Sequence, residues 1–159
     1  MQNQEFNMAR GVLFALGAAI AVGALWTVLI GLLSTFDGNQ YSIFGAGGFI
    51  GGAIAGILGS LAATAYRLGK GKPDIVGMVI VGLVSALAAA GAVIMGFAWV
   101  FPSVSFVFEL AEFDSDFGSS FWLAVAIATA VAAVVGAITV KAAVKKDETP
   151  PTPPAPPQA

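Results

Sequence analysis

The side chains in this chain best equipped for chemistry are four carboxylates close together, Glu109, Glu112, Asp114 and Asp116. Glu109 and Glu112 would stand one helical turn apart, a spacing that could serve general acid-base catalysis. That work needs a carboxyl whose pKa is shifted by burial or by a charged neighbour, and here both acids fall on the polar face of an amphipathic stretch. Asp114-Ser115-Asp116 opens like a calcium loop, but the fifth and twelfth ligand positions would be Gly118 and Val125, which carry no side-chain oxygen. The chain contains no cysteine and no histidine, which removes disulfides, thiol redox chemistry, Cys/His zinc sites and imidazole catalysis. Its many glycines do not follow a strand, and no GxxxxGK run cradles a phosphate. No catalytic residue, no cofactor and no metal set is expected, and the chain reads as something other than an enzyme.

What positions these groups is a membrane architecture. The 159 residues are 58% hydrophobic and 10% charged, where a soluble domain has about 25% charged. The net charge of −2 gives no field that would draw nucleic acid. Four runs are free of charge: Gly11 to Leu33, residues 44–66, Ile75 to Phe101 and Phe121 to Val140. A bilayer core of about 30 Å needs about 20 helical residues, so each run is long enough to cross. Arg10 before the first run could suggest a secretory leader, but this run is longer than a leader's apolar core and ends in Leu32-Leu33 without a small-residue cleavage pattern. It is expected to stay as a span. The fold expectation is an all-α integral membrane protein, a four-transmembrane-helix bundle over residues 1–146, followed by a proline-rich tail over 147–159.

The second run, GAGGFIGGAIAGILGSLAATAY, organises the rest. On a helix Gly48, Gly52, Gly56 and Ser60 form a row at spacing four, with Gly47, Gly51, Ala55, Gly59 and Ala63 beside it and Ile50, Ile54, Ile57 and Leu61 opposite. In water so many glycines would weaken a helix by about 1 kcal/mol each. In lipid the backbone has no competing water, and small residues become contact surface between helices. The first run offers Ala19, Gly23, Thr27 and Gly31 as the natural partner for that groove. The third has Gly82, Ala86 and Ala90, and the fourth Ala124, Ala128, Ala132 and Gly136. Close packing through such rows predicts that leucine at Gly52 or Gly56 would block assembly.

Orientation follows from the basic residues. All seven, Arg10, Arg67, Lys70, Lys72, Lys141, Lys145 and Lys146, would lie on one side of a four-span layout, which puts both termini in the cytoplasm. Small size and simple loops point to a bacterial cytoplasmic membrane. Lys141, Lys145 and Lys146 would meet anionic lipid headgroups. Pro73-Asp74 reads as the start of the third helix, with proline in its first turn.

The connection between the third and fourth runs is the most individual segment. A helix over 104–117 would put Phe106, Leu110, Phe113 and Phe117 on one face and Glu109, Glu112 and Asp116 on another, the pattern of a helix lying in the membrane surface. It reads as a cap on the bundle or as a docking surface for a larger membrane partner, formed by Phe106, Glu109, Leu110, Glu112, Phe113 and Asp116. The tail DETPPTPPAPPQA should be extended, with PxxP spacings that a cytoplasmic partner could read.

The layout resembles that of the small multidrug resistance transporters and the small lipid-linked-sugar translocases. The membrane-embedded carboxylate of the former has no counterpart in Gly11 to Leu33, and an uncharged interior offers no ion path. The hydroxyls available in the spans, Thr27, Ser60, Thr64, Ser85 and Thr129, can each bond back to their own helix. The expected role is a non-catalytic accessory or scaffold subunit of a larger membrane complex. The alternative is a small carrier, or a homo-oligomeric conduit, for an apolar or lipid-like solute.

Overall fold

Long uncharged stretches rich in alanine, leucine and glycine satisfy their backbone groups most cheaply as helices. The computed structural model describes the backbone of residues 6–36, 42–101 and 103–147, and the side chains of all these except 30–31, 33–36, 42–51, 100 and 143–147. Among the described residues are five helices and no strand: α1 (Met8–Phe36), α2 (Ser42–Leu68), α3 (Ile75–Val100), α4 (Val104–Phe113) and α5 (Ser115–Asp147). Three carry stretches long and apolar enough to cross a membrane, Met8–Leu29, Ile75–Trp99 and Ser115–Ala142, while the described apolar part of α2, Gly52–Leu68, is shorter. The Asp37-Gly38 turn and the proline-rich tail beyond Asp147 lie outside the described residues.

Capping chemistry sets the ends. The Asn7 side chain accepts the Arg10 N–H at 3.0 Å and opens α1. Asp74 opens α3, accepting the Gly77 N–H at 2.8 Å, so Pro73 stands just before the cap and not in the first turn as the sequence predicts. That hydrogen bond, helped by Lys72 at 3.5 Å, holds the Asp74 carboxyl below its ordinary pKa. At the end of α2 the Gly71 N–H reaches back to the Tyr66 carbonyl at 2.9 Å and the Lys70 N–H to Arg67 at 2.8 Å. This paired closure needs a left-handed residue in the middle, and Lys70 fills it with φ of 62°. For a residue with a Cβ that conformation costs about 1 kcal/mol.

The directions of the helices follow from the contacts. On α2 and α5, Gly52 faces Ile127, Gly56 faces Val131, and Gly59 faces Ala132 and Gly136, so this pair runs parallel. Gly82 lies against the Ala133 carbonyl and Phe97 meets Phe117 and Phe121, so α3 runs antiparallel to α5. The start of α1 and the turn before α3 meet where the Asn7 N–H donates to the Lys70 carbonyl at 2.8 Å. Farther along, Gly23 faces Ala88 and Ala92, so α1 and α3 are parallel. α1 and α5 stand on opposite flanks, each packed on both α2 and α3.

Much of the core between them is built from compact side chains, Ala55, Leu58, Ala62, Ala63, Val81, Ala89, Ala128 and Ala132, buried alongside the larger Trp26, Tyr66, Phe97 and Phe121. Many large aliphatic residues point outward, among them Leu13, Leu25, Ile75 and Leu87, each more than two-thirds exposed. This inverts a water-soluble protein, where so much contiguous apolar surface would be a liability, and it suits a lipid surround in which close van der Waals packing holds helices together.

Candidate functional site

Two places on the molecule could carry function: the aromatic and acidic end built by α4, and the small-residue surfaces between the long helices. The first begins with Ser103, whose hydroxyl accepts the Phe106 N–H at 3.2 Å and opens α4. Asp114 then serves two helices at once. Its N–H closes α4 on the Leu110 carbonyl at 2.9 Å, and its carboxylate accepts the N–H groups of Asp116 and Phe117, both at 3.0 Å, to open α5. The helix expected over 104–117 is therefore broken at Asp114. A carboxylate that can cap the next helix competes with the backbone for those amides, and a periodicity argument does not register that competition.

The break separates the residues expected on one apolar face. Phe117 is buried, Phe113 is 84% exposed, and Leu110 is half-buried against the core. Val107, fully buried, is the inward anchor of α4. Gly118 fits directly over the Ala111 carbonyl, leaving no room for a side chain. Around these runs a cluster of aromatic rings. Phe97 meets Phe117 and Phe121 edge-on at 5.6 and 5.0 Å, and Phe117 stacks on Phe121 at 6.0 Å. Phe101 bridges Phe106 at 5.9 Å and Phe117 at 5.6 Å, while Phe108 meets Phe121 at 6.0 Å. Such pairs contribute about 0.5–1.5 kcal/mol each beyond area burial. They lock α4 across the ends of α3 and α5, and the sequence reading missed Phe97 and Phe121 as its anchors. Their signal was the recurrence of phenylalanine on both sides of Pro102. Glu109, Glu112 and Asp116 remain exposed on this framework, with Phe106 and Phe113 beside them. Among the described residues no three acidic side chains converge as a metal set would require.

The small-residue rows are used unevenly. The tightest approach is at Gly59, where an added Cβ would run into the Ala132 carbonyl and lie 2.9 Å from the Gly136 nitrogen. Gly136 in turn has Ser85 Oγ at 3.1 Å and Val81 at 3.3 Å from such a position. Gly52 and Gly56 face α5 at ordinary contact distance, 3.9 Å from Ile127 and 3.8 Å from Val131. Ser60 is half-buried and its carbonyl accepts the Thr64 hydroxyl at 2.9 Å. Ala128 is buried. Gly31 and Gly48 lie outside the residues whose packing is described. The closest contact thus falls on Gly59 of the neighbouring row, against Ala132 and Gly136 of α5.

The small row of α1, expected opposite the groove of α2, meets α3 instead at Gly23 and Thr27. The Gly23 position lies 3.5 Å from the Ala88 carbonyl, and the Thr27 hydroxyl bonds to its own helix at Gly23, 3.0 Å, and across to the Ala92 carbonyl at 3.4 Å. Beside this contact a lateral groove of about 410 Å³ is lined by Ala19, Gly23, Thr27, Gly91, Met95 and Trp99 together with neighbouring apolar residues. Thr64 and Thr139 bond back to their own helices, whereas the buried hydroxyls of Ser85 and Thr129 have no hydrogen-bond partner. Compared with protein-family models, curated proteins and solved structures, the chain matches none.

Proposed function

We propose that the chain is an integral protein of a bacterial cytoplasmic membrane that crosses it four times with both termini on the cytoplasmic side. In this reading it acts without catalysis, as an accessory or scaffold subunit of a larger membrane complex. The fourth crossing is argued from direction: α1 and α3 are parallel and both apolar enough to span, so the chain between them has to return, and α2 runs back alongside. The orientation is argued from charge. Arg10, Lys70 and Lys72 share the end where α1 begins and α2 turns into α3, and Lys141 follows the buried Val140 toward that same end. Cations beside span ends favour the cytoplasmic side. Because the chain has no cysteine, single substitutions Lys70→Cys, Lys141→Cys and Ser115→Cys can be labelled from either face of vesicles. The first two should react from one side and the third from the other.

The observation that carries the scaffold role is the platform at α4: exposed carboxylates and a projecting Phe113 held rigidly by a buried aromatic cluster. A rigid, mixed aromatic and charged face is the kind of surface that recognises another protein. Copurification in mild detergent tests it, with Glu109→Gln/Glu112→Gln/Asp116→Asn expected to lose the partner while keeping the fold. A chain that migrates alone from several detergents at native abundance would remove the reading.

A second reading is favoured by the α1–α3 groove, whose size and apolar lining suit part of an acyl chain and so a carrier of lipid-like solutes. Filling it with Gly91→Leu should then abolish flux into liposomes, and flux that is absent from the start would eliminate that role.

A further inference from the structure

We infer that the α2–α3 turn, together with Arg10, is a seat for the phosphate of an anionic phospholipid headgroup. The inference rests on the membrane reading above and deepens it by naming a lipid partner and its site. Lys70 occupies the left-handed position of the turn, where glycine would be the unstrained choice. Glycines stand on both sides because an added Cβ at Gly69 would press on the Arg10 backbone and one at Gly71 would run into the Tyr66 ring, so Lys70 is the one position of Gly69-Lys70-Gly71 left for a side chain, and it is held in a left-handed backbone. Strain held at a defined spot is a pointer to a role for the side chain that causes it.

The turn is rigid. The Tyr66 ring is fully buried and packed against Gly11, Gly71 and Gly77, and its hydroxyl donates to the Lys72 carbonyl at 3.1 Å. The Lys70 carbonyl accepts the Asn7 N–H, and an added Cβ on Gly69 would sit 2.7 Å from the Arg10 carbonyl. These backbone contacts hold Arg10 and Lys70 as neighbours on adjoining elements. The Arg10 guanidinium lies 5.5 Å from the Phe14 ring centroid, which keeps its charge on the flank of α1 where headgroups would stand. Arg67 and Lys72 are also exposed beside the turn. The described carboxylate nearest in the chain, Asp74, is engaged with Gly77 and Lys72, so the charge offered to a ligand is that of Lys70 and Arg10. The opposite end of the molecule, around α4, presents only carboxylates among its described charges. A compact, preorganised cationic turn next to apolar helix flanks is complementary to a lipid with a phosphate at its head and acyl chains below.

The test uses the full chain in detergent micelles containing equal amounts of phosphatidylglycerol and phosphatidylcholine, with bound lipids counted by native mass spectrometry. Phosphatidylglycerol should be retained preferentially, and Lys70→Gly should lower its retention about fivefold, the attraction expected of one basic residue at an anionic surface. Arg10→Gln should do the same. Thermal stability of Lys70→Gly should hold or rise, since the strain is relieved, which separates lipid binding from a merely structural lysine. Equal retention of the two lipids overturns the inference, as does unchanged phosphatidylglycerol retention in Lys70→Gly. A loss in Lys141→Gln as large as that in Lys70→Gly also overturns it, because the effect would then be diffuse surface charge. Insertion into vesicles without lipid preference removes this inference alone, whereas a chain stripped from vesicles by alkaline carbonate removes the membrane reading as well.

Discussion

The seam between α2 and α5 and the groove between α1 and α3 are made from the same kinds of residue, yet they do opposite things. At the seam Gly59 touches the Ala132 carbonyl and Gly136, with no space for a methyl group. In the groove Gly91 has nothing within 4 Å of where a Cβ would stand. A glycine row is therefore permission for close approach, and whether it is used depends on what the neighbouring helix presents. α5 offers its own small residues, Ala132 and Gly136, in register with Gly59. α1 and α3 flank their groove with Ile20, Met95 and Trp99, side chains more than half exposed that line the space without filling it.

Substitutions can break or sharpen that contrast. The largest effect is expected for Gly59→Ala, which forces two backbones apart and should cost about 3 kcal/mol in a reversible detergent unfolding titration, the upper end for overpacking. Gly56→Leu should follow at about 2 kcal/mol, because a Cβ is tolerated at 3.8 Å from Val131 but a full leucine is not. Ser85→Ala removes a buried hydroxyl that has no partner and should stabilise by about 1 kcal/mol in the same titration. Gly91→Ala should shift stability by no more than about 0.5 kcal/mol. If it costs as much as Gly59→Ala, the groove is occupied and the contrast fails.

The smallest effect concerns pH at the start of α3. Asp74 is held below the ordinary value of 3.8 by the Gly77 N–H and then by Lys72. A depressed carboxyl contributes stability that is complete above its unfolded pKa and disappears as pH falls through the folded one. The helix start should therefore loosen only below about pH 4, read as faster amide exchange at Gly77, and Asp74→Asn should flatten that dependence.

Part of the α4 platform was legible in the sequence. The exposure of Glu109, Glu112 and Asp116 follows from their spacing, since carboxylates on one face of an amphipathic stretch seek water. The aromatic cluster was not legible, because Phe97 and Phe121 belong to different helices and meet only when those helices run antiparallel. The break at Asp114 was hidden for a local reason: an aspartate inside a helical period looks like an ordinary polar position until its carboxylate finds the amides of Asp116 and Phe117.

Composition and the length of its uncharged runs were enough to determine an all-helical chain with apolar helices long enough for a bilayer, because lipid leaves the backbone no other inexpensive way to satisfy its hydrogen bonds. Which small row closes and which stays open, and which helix α1 meets at Gly23, only the tertiary structure decided. Periodicity names the faces of a helix, but the pairing of faces depends on the direction and register of two helices together, and those are properties of the packed molecule.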